Sequence, residues 1–338
     1  MLTLPRPLRA VLKPQVILPL LLAAALLAFA ISLGDVHQVV ARVRNLPMPV
    51  LWISLAAAAG YLACKAVQLR LMLRQINVAI PARSFWLAFA VGELTVTLPL
   101  GMFSQNWVLS ASREIAIGRS AAATVMMVLA EIAVVFLFLA VTGIPGWPGT
   151  RPLCIAVLAI LALLLVALVI YERHARAVSS RLRNRTLRQG VSALLETLRG
   201  LRRLSTPLML TISIALAAMY LGALTLAFWQ VGRGMDAHHL DYLTAATIYA
   251  FSLAVILVGA GIFSQIGTLE LLGMLAARAW DIDYTDGLAM MLGFRIVWTA
   301  SIWLLCLPIV AALWREMPRR ASTSVNRGKV DSSKEVQR

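Results

Sequence analysis

Hydrophobic positions run along this chain in long unbroken blocks. Val16 to Leu33 and Leu153 to Ile170 carry no charged residue, and each approaches the roughly 20 residues that an α-helix needs to cross about 30 Å of hydrocarbon. Strands facing lipid would alternate apolar and polar positions, whereas Leu20-Leu21-Leu22-Ala23-Ala24-Ala25-Leu26-Leu27 shows no alternation. Backbone groups in lipid must be satisfied within their own segment, so these blocks predict helices and an all-α, polytopic membrane protein. Six full transmembrane helices are expected, at residues 16–33, 48–68, 120–143, 152–171, 207–230 and 286–313.

Two further apolar segments do not fit as single crossings, and charge shows why. The chain of 338 residues is 60% hydrophobic and only 14% charged, yet carries a net charge of +16. In a soluble protein that surplus would point to nucleic acid. Here the basic residues flank apolar blocks and no reading module accompanies them, so they set topology and meet anionic headgroups. Between Glu172 and Thr206 stand Arg173, Arg176, Arg181, Arg183, Arg185, Arg188, Arg199, Arg202 and Arg203 against Glu172 and Glu196, which makes this stretch cytoplasmic. The same rule places the basic amino terminus, read as a retained first helix, and the Arg-rich carboxyl terminus inside a bacterial-type inner membrane.

Segment Phe85 to Ser110 lies between Arg70, Arg74 and Arg83 on one side and Arg113 and Arg119 on the other. A re-entrant pair of half-helices, entering from and returning to the cytoplasm, satisfies both flanks. Segment Tyr242 to Trp280 has acidic flanks, Asp236 and Asp241 before it and Asp281, Asp283 and Asp286 after it. It reads either as two short full spans or as a second re-entrant hairpin, entering from outside. Hairpins entering from opposite faces are what an inverted repeat predicts, with a first repeat at about 48–143 and a second at about 207–313. Gly101-Met102-Phe103-Ser104-Gln105 recurs as Gly261-Ile262-Phe263-Ser264-Gln265, at the breaking point of each hairpin. The whole of 1–317 is then one integral membrane domain, and the polar tail 318–338 is expected to be disordered.

Charges within hydrocarbon cost on the order of 2.5 to 3.5 kcal/mol each, so they pair or line a wet cavity. The candidates are Glu93, Glu131, Glu270 and Arg295, with Lys65 able to snorkel. An ion pair of Arg295 with Glu270 or Glu131 would serve packing; alternatively the Arg295 guanidinium matches the oxygens of a lipid phosphate. Ser104, Gln105, Ser264 and Gln265 either satisfy backbone groups freed at a helix break or cradle a headgroup near the midplane. Residues Thr186 to Leu204 set Val191, Leu194, Leu195, Leu198 and Leu201 opposite Arg188, Arg199, Arg202 and Arg203, the pattern of an amphipathic helix on the cytoplasmic leaflet. Cys64, Cys154 and Cys306 are isolated and His238-His239 has no partner ligands, so neither a metal nor any other cofactor is expected.

These residues together resemble the transmembrane, flippase-like region of lysylphosphatidylglycerol synthases and the stand-alone membrane proteins built like it. That family carries a Pro-Gly-Gly-Ile-Gly-x-x-Glu element before an apolar helix and an Arg in the next span. Here the corresponding run is Phe263-Ser264-Gln265-Ile266-Gly267-Thr268-Leu269-Glu270, followed by Arg295. Gly267, Glu270 and Arg295 match, while Phe263, Ser264 and Gln265 replace the Pro and the first two glycines. An earlier family element survives as Leu98-Pro99 and Glu131, with Ser104 and Gln105 standing in its Gly-Glu region. The similarity extends over roughly residues 50 to 313. It implies substrate binding by Ser104, Gln105, Glu131, Ser264, Gln265, Gly267, Glu270 and Arg295. The departures at both breaks leave the headgroup open, a polyprenyl-linked sugar or a hopanoid-type lipid included. Only about twenty polar residues follow the last span, so lysyl transfer is not expected.

The expected function is therefore that of a lipid flippase, or a translocator of lipid-linked intermediates, holding a headgroup between re-entrant helices. No nucleotide-binding P-loop is present. The alternative is a non-catalytic membrane partner that organises a lipid or envelope-glycolipid biosynthesis complex. An intramembrane transferase would need a general base such as Glu93 or Glu270, and no His accompanies either. Expected partners are a phospholipid or lipid-linked substrate and the anionic membrane surface, not nucleic acid. A homo-oligomer or a biosynthetic-enzyme partner stays open.

Overall fold

A computed structural model of the chain describes residues 35–98, 101–113, 117–179, 185–235, 240–258 and 265–314, with isolated positions between 25 and 32. Every regular element among these residues is helical. Helix α1 (Val36–Arg44) starts at Asp35, whose carboxylate accepts hydrogen bonds from the His37 and Gln38 N–H groups, and α2 (Met48–Gln75) starts after Pro47. Two short helices follow, α3 (Ala82–Thr95) and α4 (Ser104–Arg113), and then the long α5 (Ile117–Thr142). Helix α6 (Thr150–Ser179) leads to α7 (Arg185–Leu204). The last four helices are α8 (Pro207–Gly234), α9 (Tyr242–Val258), α10 (Gln265–Ala277) and α11 (Tyr284–Trp314). Thr206 caps α8 by accepting from the Met209 N–H, with Pro207 in the first turn, where a missing N–H costs nothing.

Length explains the architecture. Helices α2, α3, α4 and α5 have 28, 14, 10 and 26 residues, and α8, α9, α10 and α11 have 28, 17, 13 and 31. At 1.5 Å per residue the long members exceed the roughly 30 Å hydrocarbon layer and the short ones fall below it. A long–short–short–long unit thus occurs twice. The two units interlock: α2 packs on α8, α3 on α11, and α9 on α5. Within each short pair the helices also contact each other, α3 with α4 and α9 with α10.

Four helices are long and apolar enough to cross a membrane: Met48–Gln75, Ile117–Thr142, Pro207–Gly234 and Tyr284–Leu313. They account for four of the six expected spans. The span expected at 152–171 falls in α6, whose described apolar stretch is the shorter Thr150–Leu164. Most of the span expected at 16–33 lies outside the described residues, as do His238, His239 and the tail 318–338.

The surface is turned inside out relative to a water-soluble bundle. Leu153, Ile160, Leu163 and Leu164 on α6 and Leu304 on α11 are exposed, whereas Lys65, Gln68, Glu93, Gln105, Asn106 and Glu270 are buried. Such a distribution is favourable only where the solvent is itself apolar. Two long-range contacts tie helix ends together. Arg42 of α1 and Asp286 of α11 form an ion pair of 2.6 Å. Arg119, expected inside, donates to the carbonyl of Ile76 at the end of α2, 3.4 Å away.

Candidate functional site

At the first break, the chain leaves α3 at Thr95 and re-enters a helix at Ser104. The Thr95 hydroxyl reaches the Gly101 carbonyl at 3.1 Å and the Ser104 hydroxyl at 2.6 Å, so side-chain oxygens close the turn that the broken helix leaves open. Gly101 is required there, because a Cβ would overlap the Thr95 carbonyl. One turn on, Gln105 and Asn106 donate to the Thr124 hydroxyl of α5 at 2.8 and 3.0 Å. These bonds tie the short α4 to a long helix through polar groups that hydrocarbon would not satisfy.

The second break falls at Ile266 and Gly267, whose backbone leaves the helical region; Gly267 has φ 82°, a left-handed value that glycine adopts without strain. Glu270 turns back and accepts a hydrogen bond from the Gly267 N–H at 2.7 Å. This is the returning half of a capping box, a carboxylate at the third helical position satisfying the N–H of the cap residue. Its other oxygen meets Arg295 Nε at 2.7 Å, and Arg295 Nη2 donates to the Gln265 carbonyl at 2.8 Å. One arginine on α11 therefore clamps both the backbone before the break and the carboxylate after it. Of the two ion pairs open to Arg295 from the sequence, the one with Glu270 forms.

A second charged group lies in the same interior. Lys65 on α2 sits 3.1 Å from Glu93 on α3 and 3.7 Å from Glu131 on α5, and it donates to the Tyr61 hydroxyl at 2.8 Å. Tyr220 on α8 donates to Glu131 at 2.8 Å. The Tyr61 ring packs edge-on against Tyr220 and Trp298, with centroids 5.5 and 5.2 Å away, which fixes its hydroxyl beside the ammonium. The expectation that Lys65 snorkels is corrected: the residue is only 7% exposed. It occupies the middle of a 28-residue helix, too deep for its stem to reach water, and the two carboxylates supply the nearer counter-charge.

Both groups border one cavity of about 110 Å³. Lys65, Glu93, Glu131, Gln105, Gln265 and Arg295 form its polar wall, while Leu221, Leu224, Leu253, Ile256 and Ile302 are among the apolar ones. The contributing positions on α2, α5, α8 and α11 lie near the helix middles. Four of the expected site residues, Gln105, Glu131, Gln265 and Arg295, thus share this lining. Ser104, Gly267 and Glu270 stand behind it and shape the two breaks. Ser264 lies outside the described residues. Tyr61, Tyr220 and Thr124 escaped the sequence reading as site residues. Tyr61 carried a signal, standing four positions before the lone lysine of an apolar helix and so on its face.

Among the described residues no group of His, Cys, Asp and Glu has the arrangement of a metal site. The ion pairs, amides and hydroxyls of this wall can exchange their mutual bonds for bonds to a zwitterionic or charged polar group.

Compared with known families, the chain matches the lysylphosphatidylglycerol synthase TM region over residues 16–306 and belongs to that family. A comparison with curated proteins gives no match. Family membership and the four crossing-length helices make this an integral membrane protein, and the family links it to lipid-related processes.

Proposed function

We propose that this family member moves lipids between leaflets, its cavity receiving the polar headgroup of a phospholipid or lipid-linked intermediate while the acyl chains stay in hydrocarbon. The observation that carries the reading is the position of the charged wall. Lys65, Glu131 and Arg295, near the middles of three crossing-length helices, border one space with Glu93 and Gln265 of the short helices α3 and α10, where a headgroup in transit meets its highest barrier. A guanidinium and an ammonium there replace the water that a phosphate loses. The break after Thr95 and the one at Ile266 and Gly267 then act as re-entrant tips, entering from opposite faces in an inverted repeat. Their irregular backbone is tolerated because it lies in protein. In this reading the protein sits in the inner membrane with both termini in the cytoplasm, and its energy comes from a gradient or from downstream consumption. The docked basic helix α7 favours, as a second reading, a scaffold for a lipid-synthesis complex.

Reconstitution into vesicles with headgroup-labelled phospholipid tests the first reading. Wild-type protein accelerates transbilayer movement, and Arg295→Ala or Gln265→Ala slows it about tenfold or more, the kinetic equivalent of one lost charge-assisted bond. Unchanged rates in both variants would remove the cavity from the function and leave the scaffold reading.

A further inference from the structure

A second polar cleft, which shares no lining residue with the central cavity, lies where α7 crosses the start of α5. It is lined by Ile76, Arg119, Glu196, Arg199, Gly200 and Arg203 and encloses about 660 Å³, its open side included. Small residues weld its walls together. A Cβ at Gly118 would overlap the Ala193 carbonyl, and one at Gly200 would overlap the Ala122 side chain. Between them the Thr197 hydroxyl donates to the Gly118 carbonyl at 3.0 Å. Arg119 follows the first glycine and Arg199 precedes the second, so the crossing itself sets the two guanidiniums at one cleft. Arg203 joins them one turn further along α7.

Like charges gathered at one place repel, and little on the protein offsets them. Arg119 donates to the Ile76 carbonyl at a long 3.4 Å. Neither Arg199 nor Arg203 has an ion pair among the described residues. Among the described residues that line the cleft, three cations face one carboxylate, Glu196. The cleft sits at the end of α2 and the beginning of α5, two helices of crossing length, and therefore at the level where a bilayer meets water.

We propose that this cleft is a binding site for the phosphate of an anionic phospholipid in the adjacent leaflet, separate from any lipid in the central cavity. Guanidinium forks bind phosphate oxygens in pairs, and basic pockets beside membrane helices hold such headgroups against the surrounding lipid. An occupied site would pin α7 to the α5 end of the bundle. The lipid is favoured over a soluble anion because the cleft lies at the ends of two helices immersed in the bilayer.

The test uses full-length protein in nanodiscs of phosphatidylcholine doped with phosphatidylglycerol, with retained lipid read by native mass spectrometry. Wild-type protein retains phosphatidylglycerol over phosphatidylcholine. Arg199→Ala and Arg203→Ala each lower that preference roughly fivefold, the weight of one juxtamembrane cation on an anionic surface. Glu196→Gln raises it, a gain that a damaged fold would not give. Equal retention by wild type and the double arginine variant, or an unchanged preference in Glu196→Gln, would overturn the site. Displacement of the lipid by millimolar inorganic phosphate would overturn its assignment to lipid in favour of a soluble phosphate.

Discussion

Arg295 is the residue on which the second break depends. Its partner Glu270 is 1% exposed and has the Arg295 guanidinium as its counter-charge. Arg295→Ala should cost about 3 kcal/mol or more, read as a fall in unfolding temperature in detergent, because a buried carboxylate loses its counter-charge. The double change Arg295→Met/Glu270→Met should recover much of that loss, since it removes both charges at once. In the other group, Glu93→Gln should be milder than Lys65→Met. With Gln at position 93 the ammonium keeps Glu131; without the ammonium two carboxylates face each other. Equal losses in the two variants would show that Lys65 does not organise this wall.

At the scale of the element, the breaks are held by close approaches more than by apolar packing. Gly101 and Gly60 separate the two effects. A Cβ at Gly101 meets the Thr95 carbonyl, whereas one at Gly60, inside α2, meets nothing within 4 Å. Gly60→Ala should therefore stabilise by up to about 1 kcal/mol through helix propensity, while Gly101→Ala should destabilise; thermal unfolding of the pair checks both signs. Gly267→Ala should also destabilise, by about 1 kcal/mol or more, because its left-handed backbone suits only glycine. The echo of 101–105 in 261–265 marked both breaks in the chain: the first lies where α3 gives way to α4, while of the second only Gln265 is among the described residues and the non-helical backbone follows it at Ile266 and Gly267. The Glu270–Arg295 pair was legible as one of two candidates, since isolated charges in lipid seek each other. What the chain hides is rotation. Lys65, Glu93 and Glu131 come from three helices, and hydrophobic periodicity is nearly absent from helices apolar all round, so nothing in sequence says which faces turn together. The docking of α7 on α5 was hidden for a related reason: Gly118 and Gly200 are unremarkable until two backbones meet there.

Across the whole molecule, the proposed function requires that the broken helices of two interlocked units approach one cavity from opposite sides of the membrane. Cross-packing of α3 on α11 and α9 on α5 makes each unit complete the other's wall, so the proposed headgroup path would belong to neither alone. The flanks of the hairpins carry the decisive information. With Cys64, Cys154 and Cys306 replaced, single cysteines at Ala82 and Glu114 bracket the first hairpin and those at Asp241 and Asp281 the second. Labelling with a membrane-impermeant maleimide in oriented vesicles should modify 82 and 114 only from the cytoplasmic side, and 241 and 281 only from the opposite one. Labelling of 82 and 114 from different sides would make α3 and α4 one crossing and contradict the paired re-entrant tips.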